Sequence, residues 1–79
     1  MGDIMTEIKK KLNSSELDTL LRVADLMLAG HSDWRQGQTL FNALYELHPI
    51  LADEIRGDPK LDSFHNDANI GNLLRYLVE

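Results

Sequence analysis

Residues 13–30, which read NSSELDTLLRVADLMLAG, decide the fold class of this chain. The apolar residues recur three, four and seven positions apart, which is the pattern of one face of an amphipathic α-helix. Asn13, Ser14 and Ser15 are all favourable N-cap residues, and both Asn13…Glu16 and Ser15…Asp18 have the spacing of a capping box. Gly30 is typical of a helix C-terminus. The predicted inward stripe consists of Leu17, Leu20, Leu21, Ala24, Met27 and Leu28.

This apolar face is wider than one neighbouring helix would cover, because Val23 and Leu26 add to it. A helix with surplus apolar surface indicates a second contact, either inside the bundle or with another protein. We therefore expect the chain to use protein–protein contacts, and a homodimer is one form of them.

A second helix is predicted from Trp34 to Leu47, with Ser32 or Asp33 as its N-cap. Gly37 lies within it and costs roughly 1 kcal/mol of helix stability relative to alanine. We expect this glycine to allow the close approach of another backbone. The inward stripe is Leu40, Leu44 and Leu47, with Phe41 and Tyr45 beside it.

A third, shorter helix is predicted from Pro49 to Arg56, because proline suits the first turn of a helix but not its interior. Gly57 ends this helix. The residues expected to point inward are Ile50, Leu51 and Ile55.

Residues 57–66 form a predicted loop with two apolar anchors, Leu61 and Phe64. Asn66 or Asp67 caps the final helix, in which apolar residues again follow the helical spacing. The inward stripe of that helix consists of Ile70, Leu73, Leu74 and Leu77.

These elements account for nearly the whole chain. Residues 1–12 carry Ile4, Ile8 and Leu12 at four-residue spacing, which predicts a short or frayed N-terminal helix. No stretch shows the sustained alternation of a strand. The sequence therefore predicts one all-α domain over residues 1–79, a compact bundle of four to five short helices.

The composition excludes several classes of protein. The 79 residues contain no cysteine, which excludes disulfides, thiolate zinc sites and cysteine nucleophiles. No apolar run approaches the roughly 20 residues of a membrane helix, and the N-terminus lacks the features of a secretory signal, so we expect a cytoplasmic protein. Thirteen acidic against eight basic residues give a net charge of −5, which opposes general nucleic-acid binding.

Three histidines, His31, His48 and His65, invite interpretation as a metal site. None of them forms the paired spacing of zinc ligands on one helix, and a site needs three or four converging ligands. We expect these histidines to be capping or surface residues, and we expect no metal and no cofactor.

Ser63 is a candidate for covalent chemistry in two ways. Residues 61–64, Leu-Asp-Ser-Phe, are similar to the Asp-Ser-Leu at which acyl carrier proteins attach phosphopantetheine, although only 16 residues follow the serine. Ser63, His65 and Asp67 are also the residue types of a nucleophilic triad, but one loop would hardly hold them rigidly. We expect a loop serine and no catalytic residue, and hence a non-enzymatic protein.

The helix that starts at Trp34 supports an alternative from another class, a DNA-binding regulator. Its polar side offers side chains of the kind that a recognition helix presents to DNA, namely Arg35, Gln36, Gln38 and Asn42. Glu46 and the net negative charge oppose this alternative, so a nucleic acid is not the partner that we expect.

A distinctive pattern runs through the second half of the chain. It reads Arg35-x-Gly37-Gln38-x-Leu40-Phe41-Asn42-x-Leu44, then Pro49-x-Leu51-Ala52 and Ile55-Arg56-Gly57. With this pattern, residues 34–77 resemble a group of small, uncharacterised helical proteins encoded in bacterial and phage genomes. The resemblance implies a helical fold and supplies no active site.

We expect a protein that acts on a partner protein, either as a homodimer or as an acidic inhibitor. An inhibitor of the immunity-protein, antitoxin or phage anti-defence type would set its carboxylates against a basic surface. Interface anchors are typically Trp, Tyr and Arg, so Trp34 and Arg35 make the start of the second helix a candidate interface. The candidate interaction residues are Trp34, Arg35, Gln38, Asp53, Glu54, Arg56, Asp58, Asp62, Phe64 and Asp67.

Overall fold

The computed structural model describes residues 12–78, and the predicted N-terminal helix lies outside them apart from Leu12. The described part confirms the all-α prediction, since it contains helices and no strand. The elements in chain order are α1 (Ser14–Gly30), α2 (Gln36–Leu47), α3 (Pro49–Ile55), a 3₁₀ turn (Asp67–Asn69) and α4 (Ile70–Val78).

Of the alternatives that the sequence leaves open, Asn13 is the N-cap of helix α1. The Asn13 side chain accepts a hydrogen bond from the Glu16 amide at 2.8 Å, and the Glu16 carboxylate accepts one from the Asn13 amide at 2.9 Å. This reciprocal pair satisfies two amides that the helix itself leaves without partners. The helix ends after Gly30, and the amide of His31 donates to the Leu28 carbonyl at 3.2 Å.

The inward face of α1 is narrower than the sequence predicts. Leu20 is fully buried, while Leu17, Ala24 and Met27 are half-buried and pack against the core. The prediction is wrong for Leu21, which is 39% exposed because it lies at the edge of the face.

Helix α2 starts two residues later than predicted. Residues 32–34 form a turn and a bend, so neither Ser32 nor Asp33 is the N-cap. Arg35 occupies that position, and its amide donates to the side-chain carbonyl of Gln38 at 3.4 Å. Trp34 precedes the helix and stacks on His31, with ring centroids 3.8 Å apart. Because the indole has a stacking partner in the turn, Trp34 is half-buried there rather than part of α2.

Helix α3 begins at Pro49, as predicted, and buries Leu51, Ala52 and Ile55. Ile50 was also expected to point inward, and that prediction is wrong because its side chain is 77% exposed. A helix of two turns has one inward side, and the three buried residues already occupy it.

Helix α2 is the central element, and it packs against α1, α3 and the 3₁₀ turn. Its buried residues share the core with the inward side chains of the other helices. The two ends of the described chain meet at one place, where the Leu12 amide donates to the Leu77 carbonyl at 2.8 Å. The fully buried core leucines and isoleucine are Leu20, Leu44, Ile55, Leu73 and Leu77.

Candidate functional site

The connection between α3 and the 3₁₀ turn is irregular, but side chains hold its backbone in place. Gly57 has φ +81°, a left-handed conformation that glycine adopts without strain. The carboxylate of Asp58 then accepts hydrogen bonds from the amides of Lys60 at 2.8 Å and Leu61 at 3.1 Å. These bonds form an Asx turn, which directs the chain back towards α2.

Asp62 closes the same loop with both of its carboxylate oxygens. Oδ2 accepts from the Gly57 amide at 2.7 Å, and Oδ1 accepts from the Phe64 amide at 2.9 Å. Each oxygen therefore has a backbone partner, and hydrogen bonds to a charged acceptor are the stronger kind.

Asn69, in the 3₁₀ turn, supports the loop from the opposite side. Its buried side-chain amide donates to the carbonyls of Pro59 at 3.0 Å and Asp62 at 2.9 Å. One side chain thus joins two turns of the loop to the start of α4.

Gly37 joins this loop to α2. Its amide donates to Oδ1 of Asp67 at 3.0 Å, and its carbonyl accepts from the buried hydroxyl of Ser63 at 2.8 Å. A Cβ atom at position 37 would lie 2.7 Å from the Asp67 carboxylate and would collide with the Ser63 carbonyl oxygen. The predicted close approach of a second backbone at Gly37 is confirmed.

Arg35 makes the second link between α2 and the loop. In the described part of the chain its guanidinium donates to the Phe64 carbonyl. The side chain of Gln38 accepts the Arg35 amide hydrogen bond. Two polar residues on which the DNA-binding alternative relies are therefore engaged within the chain, and Arg35 lies before α2 rather than on it.

These links leave an open cleft of about 390 Å³ between α2, the end of α3 and the loop. The ring of Phe64 meets Phe41 edge-on at a centroid distance of 5.9 Å and meets His65 at 4.7 Å. Across the cleft, the Arg56 guanidinium lies 5.2 Å from the ring centroid of Tyr45. The lining residues are Phe41, Asn42, Tyr45, Arg56, Asp62, Phe64 and His65.

Two polar groups of the cleft make no hydrogen bond with residues 12–78. They are the hydroxyl of Tyr45, a residue that is 45% exposed, and the side-chain amide of Asn42. Arg56 pairs with Asp53 at 3.2 Å, but both side chains are more than half exposed. An exposed ion pair of this kind contributes only about 0.2–1 kcal/mol to stability. Arginine carries several N–H donors, and Arg56 directs only one nitrogen at Asp53, so its other donors stay available.

The structure brings three of the predicted interaction residues together in this cleft, namely Arg56, Asp62 and Phe64. Asp58 and Asp67 lie in the supporting loop and turn, where backbone amides use their carboxylates. The remaining candidates are placed elsewhere: Trp34 in the turn before α2, Arg35 and Gln38 at the start of α2, and Asp53 and Glu54 on α3.

Four cleft residues were absent from that prediction, namely Phe41, Asn42, Tyr45 and His65. Asn42 and Tyr45 lie one turn apart on α2, so the helical spacing could have grouped those two. The position of the loop opposite them depends on contacts between residues far apart in sequence.

The structure also bears on the covalent alternatives for Ser63. Its side chain is fully buried, and its hydroxyl donates to the Gly37 carbonyl, so the serine is not placed to carry phosphopantetheine. In the proposed triad, His65 contacts the ring of Phe64 and Asp67 accepts from Gly37. Each of the three side chains thus has a separate contact.

Within residues 12–78, no three histidine or carboxylate side chains group closely enough to hold a metal ion. The helices of that region are also too short or too polar to cross a membrane. No protein-family model, curated protein or solved structure matches the chain. The resemblance to small bacterial and phage proteins therefore stays a prediction.

Proposed function

We propose that this chain is a non-enzymatic helical domain that recognises a partner protein through the cleft between α2 and the loop. One observation carries the proposal: Tyr45 stands half-exposed beneath Arg56 in a cleft whose opposite wall is fixed by hydrogen bonds. Tyrosine and arginine are among the residues that most often dominate the free energy of protein–protein binding.

The fixed wall matters because ordering a loop on binding costs free energy. Here Asp62 and Asn69 hold the loop in the free protein, and Ser63 joins it to α2. Loops that a rigid scaffold positions in this way are the usual location of binding residues. The cleft is thus available to a partner without rearrangement of its backbone.

The aromatic lining supplies the apolar part of the recognition surface. Phe41 is buried at the base of the cleft, and Phe64 packs edge-on against it. Tyr45 adds an exposed ring whose hydroxyl is free to bond a partner. Aromatic rings with a polar end suit interfaces, because they bury apolar area and still make a directional hydrogen bond.

The proposal rests on the cleft rather than on an acidic patch. Asp58, Asp62 and Asp67 each accept hydrogen bonds from backbone amides, so local structure accounts for their presence. Asp53 pairs with Arg56, whereas Glu54 forms no ion pair in the described part of the chain. An acidic inhibitor remains one form of partner recognition that the same experiment examines.

The experiment compares what the wild-type protein and two variants capture from a cell lysate. Tyr45→Ala removes the exposed ring of the cleft, and Ile50→Ala removes an exposed side chain of α3 outside it. We expect proteins that bind the wild type and Ile50→Ala but not Tyr45→Ala. Identical capture by all three would contradict the proposal, provided that circular dichroism shows each variant folded. Light scattering of the same samples tests the expected homodimer.

A further inference from the structure

We infer that the segment bound in this cleft carries an aromatic side chain beside a single carboxylate. The inference rests on the proposed function, because it assigns the chemistry of the partner at the same site. It follows from the shape of the cleft, its available hydrogen-bonding groups and the charge of the chain.

The aromatic side chain follows from the lining and the volume. Rings of Phe41, Tyr45 and Phe64 surround a space of about 390 Å³, which lies within the range of ligand-binding pockets. Aromatic rings prefer edge-to-face or offset contacts with other rings, and Phe64 already makes such a contact with Phe41. An incoming ring can make the same contacts with the exposed face of the lining.

The carboxylate follows from the hydrogen-bonding groups that remain available. The only carboxylate among the lining residues is Asp62, and both of its oxygens already accept from backbone amides. Arg56 has donors beyond the one directed at Asp53, and Asn42 and Tyr45 add further donors. The free groups of the cleft thus favour an acceptor, and a carboxylate is the acceptor that pairs best with a guanidinium.

The net charge of the chain limits how acidic the bound segment can be. At −5 the protein repels a strongly acidic partner at long range. Arg56 offers one exposed guanidinium in the cleft. We therefore expect one acidic residue next to the aromatic side chain rather than an acidic run.

Selection of a random peptide library displayed on phage, against the immobilised full-length chain, tests the inference. The wild type should select peptides with an aromatic residue adjacent to one Asp or Glu. The selected peptides should bind Tyr45→Ala and Arg56→Glu at least about tenfold more weakly, a change of about 1.4 kcal/mol. Binding to Ile50→Ala should stay within about twofold of the wild type, as a control for an exposed residue outside the cleft.

Selection against Arg56→Glu provides the matching experiment, because the reversed charge should select Lys or Arg beside the aromatic residue. If the peptides depend on Tyr45 but carry no acidic residue, or bind Arg56→Glu as well as wild type, the inferred chemistry is wrong while the proposed function stands. If no selected peptide depends on Tyr45, the proposed function is wrong as well.

Discussion

The amide of Gly37 donates a hydrogen bond to Oδ1 of Asp67, a residue 30 positions later in the chain, at a distance of 3.0 Å. This bond joins the first turn of α2 to the turn that opens α4. The irregular loop between α3 and the 3₁₀ turn packs so closely on Gly37 that no side chain fits there. The wall of the proposed binding cleft depends on this contact.

Replacing Gly37 with alanine should destabilise the protein, although alanine is the better helix former. The added Cβ would collide with the backbone carbonyl oxygen of Ser63 and would lie 2.7 Å from the Asp67 carboxylate, so the loop has to move away. We expect a loss of about 2 kcal/mol in the free energy of unfolding, which is typical of an overpacked site. Urea denaturation of the two proteins measures it.

Gly71→Ala is the matched control, because a Cβ at that helical position would meet no atom within 4 Å. It should raise stability by up to about 1 kcal/mol. Equal effects of the two substitutions would show that the loop does not press on α2 at Gly37.

Asn69→Ala should also destabilise the protein, by about 2 kcal/mol. The substitution removes the two hydrogen bonds that the Asn69 side chain, in the 3₁₀ turn, donates to the loop, and it leaves the carbonyls of Pro59 and Asp62 without that donor. Asn72→Ala, at an exposed position of α4, should change stability by less than about 0.5 kcal/mol. A similar small effect at Asn69 in thermal or urea unfolding would contradict its supporting role.

Asn13→Ala tests which of the three adjacent capping residues begins α1. Asn13 and Glu16 form a reciprocal capping box. Replacing Asn13 with alanine should therefore lower the free energy of unfolding by about 1 kcal/mol. Ser15→Ala should have little effect, since Ser15 lies inside the helix. Urea unfolding distinguishes the two positions, and the opposite order of losses would place the helix start elsewhere.

Leu20→Ala and Leu26→Ala compare the buried and the outer side of α1. Leu20 is fully buried. Its truncation to alanine should lower the free energy of unfolding by about 2–5 kcal/mol, because apolar burial is lost and a cavity is left behind. Leu26 is 70% exposed, so its truncation should change stability by less than about 0.5 kcal/mol. A large loss at Leu26 would mean that its side chain is covered in solution, as in a dimer through α1.

Local patterns could predict the helices because each depends on residues close in sequence. The proline that opens α3 is of this kind and is confirmed, and the capping box of Asn13 is one of the two that the local pattern predicts. Two errors have different causes. Trp34 stacks on His31, three residues earlier, in a turn that the helical pattern does not reveal. Ile50 lies outside the side of α3 that packs on the core.

The cleft could be predicted only in fragments. Arg56, Asp62 and Phe64 were recognised as candidates from their residue types, without any indication that they meet. Their meeting point depends on bonds across the fold, such as that from Arg35 to the Phe64 carbonyl. No periodicity within one segment reports such a bond, because its two residues lie 29 positions apart.

The most direct test of the central claim is the dissociation constant of a captured partner protein, measured for the wild type, Tyr45→Ala and Ile50→Ala. Binding through the cleft predicts that Tyr45→Ala weakens the complex about 10- to 30-fold, as for an interface anchor. It also predicts that Ile50→Ala stays within about twofold of the wild type. Equal dissociation constants for all three proteins would place the binding surface elsewhere and contradict the claim.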